Sequence, residues 1–469
     1  MENIIKLVTD VNNFVSNIVW GWPAIILILG TGLLLTARTG LVQIRRFGHA
    51  IKHSIGTAMK REKTGKGEVS PFQALATALA ATVGTGNIAG VAGAIALGGP
   101  GAIFWMWVSA LLGMATKFAE VVLALVYRQR NGEGEWVGGP MYYIRNGLGE
   151  KWKWMGGLFC VLGVTASFGI GNMTQVNSIA ENVCNAVVLF TPDASITVTR
   201  IIIGVVVAIL VAFIALGGVK RIGQVTELCV PVMSILYILA SLVVIIMNAS
   251  RLDDVLVMII KGAFNPSAVV GGAVGVTFTT ALQKGIARGI FSNEAGLGSA
   301  PIAHAASTER DPVKQGFYGI FEVFIDTGVI CTLTALTILC SGIVVPYGQA
   351  AGATLSTQAF STVFPPAIAT VVIAIALSMF AFTTIISWNL YGSRCCEYLW
   401  GRKASTVYKI LFLPMLIIGA TLDLDLAWSI AETLNGMMAI PNLIALLALS
   451  GVVAKEVRRY FSSPERKLN

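Results

Sequence analysis

The sequence predicts an all-α integral membrane protein with eleven transmembrane helices. Of its 469 residues, 55% are apolar and only 12% are charged, whereas soluble proteins average about 25% charged residues. The mean hydropathy is +0.76, and eleven stretches approach the roughly 20 apolar residues that a membrane-crossing helix needs. Fifty glycines are also typical of membrane helices, which pack through small residues. This composition excludes a secreted disulfide scaffold, a nucleic-acid-binding protein and a disordered tail protein.

The predicted spans follow a short amphipathic segment, residues 2–17, which we expect to lie at the membrane interface. Their approximate bounds are 18–37, 72–97, 101–127, 155–187, 198–217, 226–247, 267–303, 316–343, 367–392, 405–421 and 426–453. Lys and Arg residues are concentrated in the connections on one side, above all in 38–71 and 128–154. The loop 344–366 on the opposite side has none. Because basic connections stay in the cytoplasm, we expect a multi-pass cell-membrane protein with its N-terminus outside and its C-terminus in the cytoplasm.

The spans divide into one extra helix and two groups of five. Residues 1–71 would hold the interfacial segment, the first span and a basic cytoplasmic connection, and residues 454–469 a basic cytoplasmic tail. Between them lie residues 72–247 and 267–453, with five spans each. Since an odd number of helices returns the chain on the other side of the membrane, the second group is inverted relative to the first. We therefore predict a five-plus-five inverted repeat.

The first span of each group differs from a plain apolar helix. Span two contains VGTGN at residues 83–87, and span seven carries a polar, glycine-punctuated stretch at residues 276–298. Non-helical backbone at membrane depth occurs where it lines a cavity or is buried in protein. Close packing through Gly86 and Gly90 is the alternative for span two taken alone. Two discontinuous helices in matching positions of an inverted repeat indicate a carrier with its binding site at the membrane midplane.

Three segments carry a resemblance to known transporters. Residues 83–87 resemble the unwound first core helix of the neurotransmitter:sodium symporters. The sequences GGPGAIFWMWVSALLG at 98–113 and GIFSNEAGLGSAP at 289–301 resemble signatures of the alanine or glycine:cation symporter (AgcS-type) family. The likeness covers nearly the whole chain. It implies a leucine-transporter-like fold and uptake of alanine or glycine with Na+ or H+, without any cofactor other than the coupling ion.

A zwitterionic amino acid cannot cross hydrocarbon without partners for its charges, because burying an unpaired ion costs several kcal/mol. We expect its carboxylate to accept hydrogen bonds from the backbone N–H groups of Thr85 and Gly86, at the start of a half-helix. Gln175 on span four is expected to add an amide donor or acceptor. A helix–helix hydrogen bond is the alternative role for Gln175.

The other end of the substrate is expected at span seven. Backbone carbonyls near Val276, Phe278 and Thr279 would accept from the ammonium group, and Phe278 and Trp388 would close an apolar slot that admits only a methyl group. Ordinary packing is the alternative role for both aromatic residues.

The resemblance to sodium symporters also implies a cation cage between spans two and nine. Its predicted ligands are the carbonyls of Ala80, Val83 and Ala381 and the hydroxyls of Thr383 and Thr384, with the carbonyl of Phe380 as the alternative to that of Ala381. Such oxygen ligands suit one Na+. Hydrogen bonds from the hydroxyls back to their own helix are the alternative reading.

Two further hypotheses concern polar residues inside the spans. A second cation cage would use Thr82 and Asn87, together with Thr279. Because intramembrane charges are functional candidates, we also predict an inner-gate network of ion pairs. Its members are Lys284, Arg288, Glu294, Glu322 and Asp326. Static pairing, or a proton carried by one of the acids, is the alternative.

Other function classes lack support in the sequence. The three histidines, His49, His53 and His304, lie towards the cytoplasmic side, and no HExxH, GxSxG or nucleotide-binding motif accompanies them, so a membrane enzyme is disfavoured. A channel, or an amino-acid exchanger without cation coupling, remains the main alternative to a symporter. The predicted partners are alanine or glycine, Na+ or H+, and the lipid bilayer; the sequence leaves the oligomeric state open.

Overall fold

The computed structural model describes residues 2–58, 64–65, 67–266, 269, 276–422 and 425–462, and these are predominantly helical. The chain begins with α1 (Glu2–Val19), α2 (Trp22–Arg38), α3 (Val42–Arg45) and α4 (Phe47–Ala58). There follow α5 (Pro71–Thr82), α6 (Ala89–Gly98), α7 (Gly101–Tyr127), α8 (Pro140–Tyr143), α9 (Lys153–Phe168), α10 (Thr174–Phe190), α11 (Ile196–Ala215) and α12 (Gly218–Met247). The later helices are α13 (Leu252–Phe264), α14 (Phe278–Asn293), α15 (Ala300–His304), α16 (Pro312–Val323), α17 (Thr332–Ser341), α18 (Ala353–Phe360), α19 (Pro366–Thr421) and α20 (Asp425–Ser462).

Short irregular helices and one hairpin complete the described chain. The 3-10 turns are Thr85–Asn87, Glu150–Trp152 and Ala249–Arg251, and the π-helical segments are Ile144–Leu148, Gly169–Met173 and Phe324–Cys331. Strands β1 (Gln129–Arg130) and β2 (Trp136–Val137) pair antiparallel. The 128–154 connection contains the short helix α8. The hairpin before it was not predicted; its five-residue connection, 131–135, turns at Gly134, which has a positive φ angle.

Fewer helices qualify as membrane spans by length and composition than the eleven predicted from the sequence. Among the described residues, eight helices are long and apolar enough to cross a membrane, or nine when the bent pair at 71–98 counts as one span. The all-α, multi-pass architecture is therefore confirmed. The difference from eleven arises mainly because α19 joins predicted spans nine and ten around a kink at Gly401 (φ 79°), and because α14 has only 16 residues.

The first predicted discontinuity is present. Helix α5 ends at Thr82, and the chain continues through extended backbone at Gly84. A 3-10 turn then leads into α6, and the two halves meet at 59°. The Oδ1 atom of Asn87 accepts from the Gly84 N–H at 2.8 Å, which satisfies a donor that the break exposes. A Cβ atom on Gly84 would lie 2.8 Å from the Thr384 hydroxyl, so only glycine fits there.

The second discontinuity lies at the end of the predicted stretch 276–298. Helix α14, which starts at a capping box formed by Thr277 and Thr280, runs without interruption through the earlier part of that stretch. The break follows at Glu294, which adopts a left-handed conformation (φ 54°), and Gly296 and Gly298 also have positive φ angles. Helix α15 then resumes at residue 300. The beginning of predicted span seven, residues 267–275, lies outside the described residues except for residue 269.

Helix α7 forms the centre against which the second discontinuous span packs. Every residue from Gly113 to Leu125 is buried. Glycines on α14 allow its backbone to approach α7 closely: a Cβ atom on Gly285 would lie 2.2 Å from the carbonyl oxygen of Ala102. The polar residues of α14 therefore do not interrupt the helix, because its small face packs on α7 while its polar face lines crevices.

Candidate functional site

A cavity of about 640 Å³ leads into the first break. The residues that line it include Ala350 and Leu422, which belong to connections opposite the basic ones, and Arg200 near the start of α11. We call this side the opposite face, and the side of the 38–71 and 128–154 connections the basic face. Thr85, Gly86 and Phe291 also line the cavity, so it reaches from the opposite face to both discontinuous spans.

Thr85, Gly86 and Gln175 come together as predicted. The Thr85 hydroxyl lies 3.3 Å from Oε1 of Gln175, and the Gln175 amide nitrogen donates to the Ile170 carbonyl at 3.0 Å. A Cβ atom on Gly86 would lie 3.4 Å from the ring of Phe291. Sequence reasoning missed Phe291 as a site residue, although it lies inside the 289–301 motif. The cavity therefore ends against polar groups on one side and an aromatic ring on the other.

Val276, Phe278 and Thr279 do not join this group. Phe278 is 42% exposed and contacts the ring of Trp105 with centroids 5.9 Å apart. It precedes Phe291 by 13 residues of continuous helix, which corresponds to about 20 Å along the axis. The predicted acceptors and slot residue on span seven are therefore corrected: the unbroken α14 holds them at its outer end, away from the cavity floor.

Trp388 lies behind the cavity floor. Its side chain is fully buried and belongs to the apolar cluster on which Phe291 packs. Its indole N–H donates to Oε1 of Glu294 at 3.1 Å. This hydrogen bond ties α19 to the second break and holds the indole ring in one orientation beside Phe291.

Of the predicted cation-cage residues, Thr384 reaches the end of α5, whereas the Thr383 hydroxyl bonds within its own helix and to Sδ of Met233 on α12. The Thr384 hydroxyl donates to the Ala80 carbonyl at 3.1 Å and lies 3.0 Å from the Phe380 carbonyl. The Thr383 hydroxyl lies 3.0 Å from the same Phe380 oxygen. Both hydroxyls thus bond back to the Phe380 carbonyl of their own helix, which is the alternative expected from the sequence, and Thr384 also reaches α5. Val83 is buried just beyond the last turn of α5.

These oxygens carry no full charge, which suits a monovalent cation. Within the described residues, no group of three or more His, Cys, Asp or Glu side chains is placed to hold a metal ion. The arrangement therefore differs from a transition-metal centre.

Thr82 and Asn87 do not face each other in a second cage. The Thr82 hydroxyl donates to carbonyls of its own helix, at 3.3 Å. The amide nitrogen of Asn87 instead donates to Oδ1 of Asp326 at 2.6 Å, and Thr279 is exposed at the far end of α14. Asn87 therefore joins the first break to the π-helical segment at 324–331.

The predicted network between the basic residues of α14 and the buried acids is not formed. Arg288 pairs with Glu432 on α20 at 2.6 Å, and both side chains are about one-quarter exposed. Lys284 lines the same crevice, which extends towards the opposite face. Ten residues of α14 separate Lys284 from Glu294, or about 15 Å of helix, so Lys284 lies well away from this acid, whereas Arg288 lines the cavity.

The acids have other partners on the basic side of the cavity floor. Glu322 forms an ion pair with Lys117 at 3.1 Å, both fully buried, and His304 lies 3.3 Å from Glu322. Glu294 accepts from Trp388 and from the Ser299 hydroxyl. Spacing along the chain could not show that Lys117, inside α7, would meet Glu322.

Comparisons with known proteins agree with this architecture. The family model described as the sodium:alanine symporter family matches residues 5–469. The sodium/alanine symporter AgcS of Methanococcus maripaludis is 46% identical over 462 residues, covering 98% of this chain and 97% of that protein. The probable sodium/glutamine symporter GlnT of Bacillus subtilis is 39% identical over 462 residues, covering 98% and 91%.

A solved structure shows the same fold. The crystal structure of MhsT in complex with L-phenylalanine aligns with a TM-score of 0.57 at 12% identity, covering 85% of this chain and 99% of that one. This likeness supports the expected leucine-transporter-like fold. With the broken helices, the open cavity and the matched family model, the chain belongs to the sodium:alanine symporter family, whose members are cation-coupled amino-acid transporters and not enzymes.

Proposed function

We propose that the chain imports small neutral amino acids, alanine and glycine, together with Na+ by alternating access across the cell membrane. One observation carries this proposal: the break at residues 83–84 separates a cluster of cation-type oxygens at Ala80 and Thr384 from a cavity end at Thr85 and Gly86. A single unwound stretch therefore serves both a solute and its driving ion. The Methanococcus relative, a sodium/alanine symporter, supports this choice of substrate and ion.

In the proposed substrate site, the amino-acid carboxylate accepts from the backbone N–H groups of Thr85 and Gly86. Gln175, already within 3.3 Å of the Thr85 hydroxyl, adds a side-chain amide. The apolar end is closed by Phe291, with Trp388 packed behind it. A slot closed by the Phe291 ring accommodates hydrogen or a methyl group and excludes longer side chains.

In the proposed cation site, Na+ is held by the carbonyls of Ala80, Val83 and Phe380 and the hydroxyls of Thr383 and Thr384. Binding replaces the present hydrogen bond between Thr384 and Ala80 with two metal contacts, and so ties α19 to α5. Each Na+ carried inward gains about 2.3 kcal/mol from a 100 mV membrane potential. Proton coupling through these neutral oxygens is disfavoured, because they offer no group that readily takes a proton.

The proposed topology has eleven spans, with the N-terminus outside and the C-terminus in the cytoplasm. Helix α19 counts as two spans around Gly401, and α14 with α15 as one discontinuous span. Residues 72–247 and 267–453 then form the two inverted repeats. The cavity opens away from the basic connections, which in this topology means towards the outside. The Arg288–Glu432 pair lies beside the entrance and is proposed as an outer gate.

Uptake of radiolabelled alanine into proteoliposomes tests this function. We expect saturable accumulation driven by an inward Na+ gradient, strengthened by an inside-negative potential, and little uptake with a K+ or proton gradient alone. Counterflow of labelled alanine distinguishes a carrier from a channel. Exchange that is unaffected by Na+ would instead identify an uncoupled exchanger and would overturn the proposal.

A further inference from the structure

We propose that the protein binds an anionic phospholipid from the membrane leaflet at the basic face, in a site between the end of α2 and the last turns of α20. Four exposed basic side chains, which we call the cationic cluster, hold the headgroup phosphate: Arg38, Arg46, Lys455 and Arg458. The acyl chains lie along the apolar stripe of α20, which consists of Ile440, Ile444 and Ala448. The proposal is independent of the transported solute and of the coupling ion.

The last turns of α20 present two members of the cationic cluster on one side of the helix. Gly451, Lys455 and Arg458 are spaced by four and three positions, so they share one face, and all three are exposed. A Cβ atom on Gly451 would lie 3.7 Å from Nη1 of Arg38. Arg38, the last residue of α2, therefore lies beside the same face of α20.

Arg46 adds a guanidinium group at the end of α20. It follows α3 directly, and its guanidinium carbon lies over the ring of Phe461, 4.4 Å from the centroid. Phe461 comes three residues after Arg458, so Arg46 reaches the level of the last charged turn. The chain between α2 and Arg46 also exposes the apolar side chains of Leu41 and Ile44, as expected for a segment at the membrane interface.

The cationic cluster differs from other basic residues of this face in its charge balance. Arg130, in the hairpin, pairs with Glu68 at 2.6 Å. Among the ion pairs of the described residues, none involves the cationic cluster, and the neighbouring Glu456 pairs instead with Arg459 at 3.3 Å. The positive charge of the cluster is therefore free to bind an anion, and guanidinium groups match the geometry of a phosphate.

The surroundings of the cluster are positive as well. Burial and the positive charges of Arg46, Lys52 and Lys314 lower the pKa of His49 on α4. Basic residues next to a membrane attract the negative headgroups of a leaflet, and the attraction increases with each added Lys or Arg. The charges of α4 and α16 therefore strengthen the binding of an anionic headgroup at the neighbouring cluster.

The apolar stripe distinguishes a lipid from a soluble anion. Ile440, Ile444 and Ala448 are spaced by four residues, so they lie on one face of α20, and all are exposed. Gly451 continues this face towards Lys455. An exposed row that changes from apolar to cationic along one helix matches the acyl chains and the phosphate of a phospholipid, whereas inorganic phosphate would leave the apolar part unused.

Thermal unfolding of the purified full chain in detergent tests the inference. Phosphatidylglycerol should raise the unfolding temperature, because a ligand that binds only the folded state stabilises it. Phosphatidylcholine, which has no net charge, and inorganic phosphate, which has no acyl chains, should not. The double variant Lys455→Gln with Arg458→Gln should need about thirtyfold more phosphatidylglycerol for half of the shift, equivalent to about 2 kcal/mol.

Arg459→Gln is the matched control. It removes one charge from the same turn of α20, but Arg459 lies outside the shared face and already has Glu456 as its partner, so the variant should respond as the wild type does. If the double variant does not fold, Arg38→Gln decides by the same measurement, with an expected weakening of about fivefold.

Four results would overturn the inference. The half-saturating phosphatidylglycerol concentration could be the same in the wild type and in the cluster variant. An equal shift with phosphatidylcholine would show that the headgroup charge is not recognised, and an equal shift with inorganic phosphate would identify a soluble-anion site. Equal weakening per charge in Arg459→Gln would show that the lipid responds to the total charge of the face and not to the cationic cluster.

Discussion

The hydroxyl of Thr384 donates to the carbonyl of Ala80 across 3.1 Å, linking α19 to the last turn of α5. The contact spans more than three hundred residues of sequence and lies one turn before the helix is interrupted at Val83 and Gly84. A ligand between the two helices would therefore stabilise one position of α5 relative to α19. In an alternating-access transporter, such a contact determines which side of the site is closed.

Removing the Thr384 hydroxyl should weaken the response to Na+. We expect Thr384→Val, which keeps the shape of the side chain, to raise the half-saturating Na+ concentration for alanine uptake by at least about tenfold, as loss of roughly 1.4 kcal/mol of cation binding requires. Initial rates across a series of Na+ concentrations measure this. Thr406→Val is the control, because the Thr406 hydroxyl is exposed and bonds only within its own helix turn. Unchanged Na+ dependence would remove Thr384 from the cage.

Substrate selectivity should respond to Phe291 and not to Phe278. Phe291 lines the cavity and lies against Gly86, so Phe291→Ala should allow uptake of branched amino acids such as valine. Phe278→Ala makes the same change on an exposed ring at the far end of α14, and should leave selectivity unaltered. Competition by unlabelled amino acids against labelled alanine gives the comparison. A wider substrate range in the Phe278 variant alone would favour the site expected from the sequence.

The buried pair of Lys117 and Glu322 should be sensitive to the loss of one partner. Lys117→Met leaves a carboxylate buried beside His304 without its ion partner, and breaking such a pair costs about 3–5 kcal/mol. We expect a clear decrease in the thermal unfolding temperature in detergent. The double variant Lys117→Met with Glu322→Gln should recover much of the loss. Equal destabilisation in the single and double variants would show that packing, not charge, determines the effect.

The partly exposed pair of Arg288 and Glu432 should affect transport more than stability. Exposed ion pairs contribute about 0–1 kcal/mol, so Glu432→Gln should leave the unfolding temperature almost unchanged. As a proposed outer gate, the pair should instead set how often the cavity is open. Reactivity of a cysteine introduced at Ala89, which lines the cavity, measures this opening and should increase in Glu432→Gln. Equal reactivity in the variant and its parent would argue against a gate.

The hairpin on the basic face should respond to acid. The hydrogen bond from Arg130 lowers the pKa of Glu68 below its ordinary value of 4.5, and the two side chains lie 2.6 Å apart. A carboxyl group whose pKa is lowered in the folded protein adds to the free energy of unfolding above pH 4.5. This contribution to stability is lost as the pH falls through the lowered pKa. The protection factors of the amides at residues 129–137, which are corrected for the intrinsic pH dependence of hydrogen exchange, should therefore fall below about pH 4. Glu68→Gln should show the lower protection factors at every pH, and an identical acid response in that variant would contradict the assignment.

Local sequence signals predicted the elements that depend on neighbouring residues. The apolar stretches predicted most of the spans. The sequence VGTGN predicted the first break, because glycine weakens a helix. In the structure, the side-chain oxygen of Asn87 accepts from the backbone N–H that the break exposes. The second break was predicted over too long a stretch, 276–298, of which residues 278–293 are helical. In the sequence, the polar residues of α14 resemble an interruption of the helix. In the structure they face crevices, while Gly285 and Gly289 pack closely on α7.

The sequence by itself determined an all-α membrane protein and a break at residues 83–87, because hydropathy and helix propensity are properties of single residues and their near neighbours. Thr383 and Thr384 became candidate ligands through the resemblance to sodium symporters. Only the tertiary structure decided that Lys117 meets Glu322, that Arg288 meets Glu432, that Phe291 lines the cavity, and that Asp326 joins both breaks. Those pairings depend on the rotation and depth of each helix against its neighbours. Packing across the whole bundle sets these quantities, and the spacing of residues along one helix does not contain them.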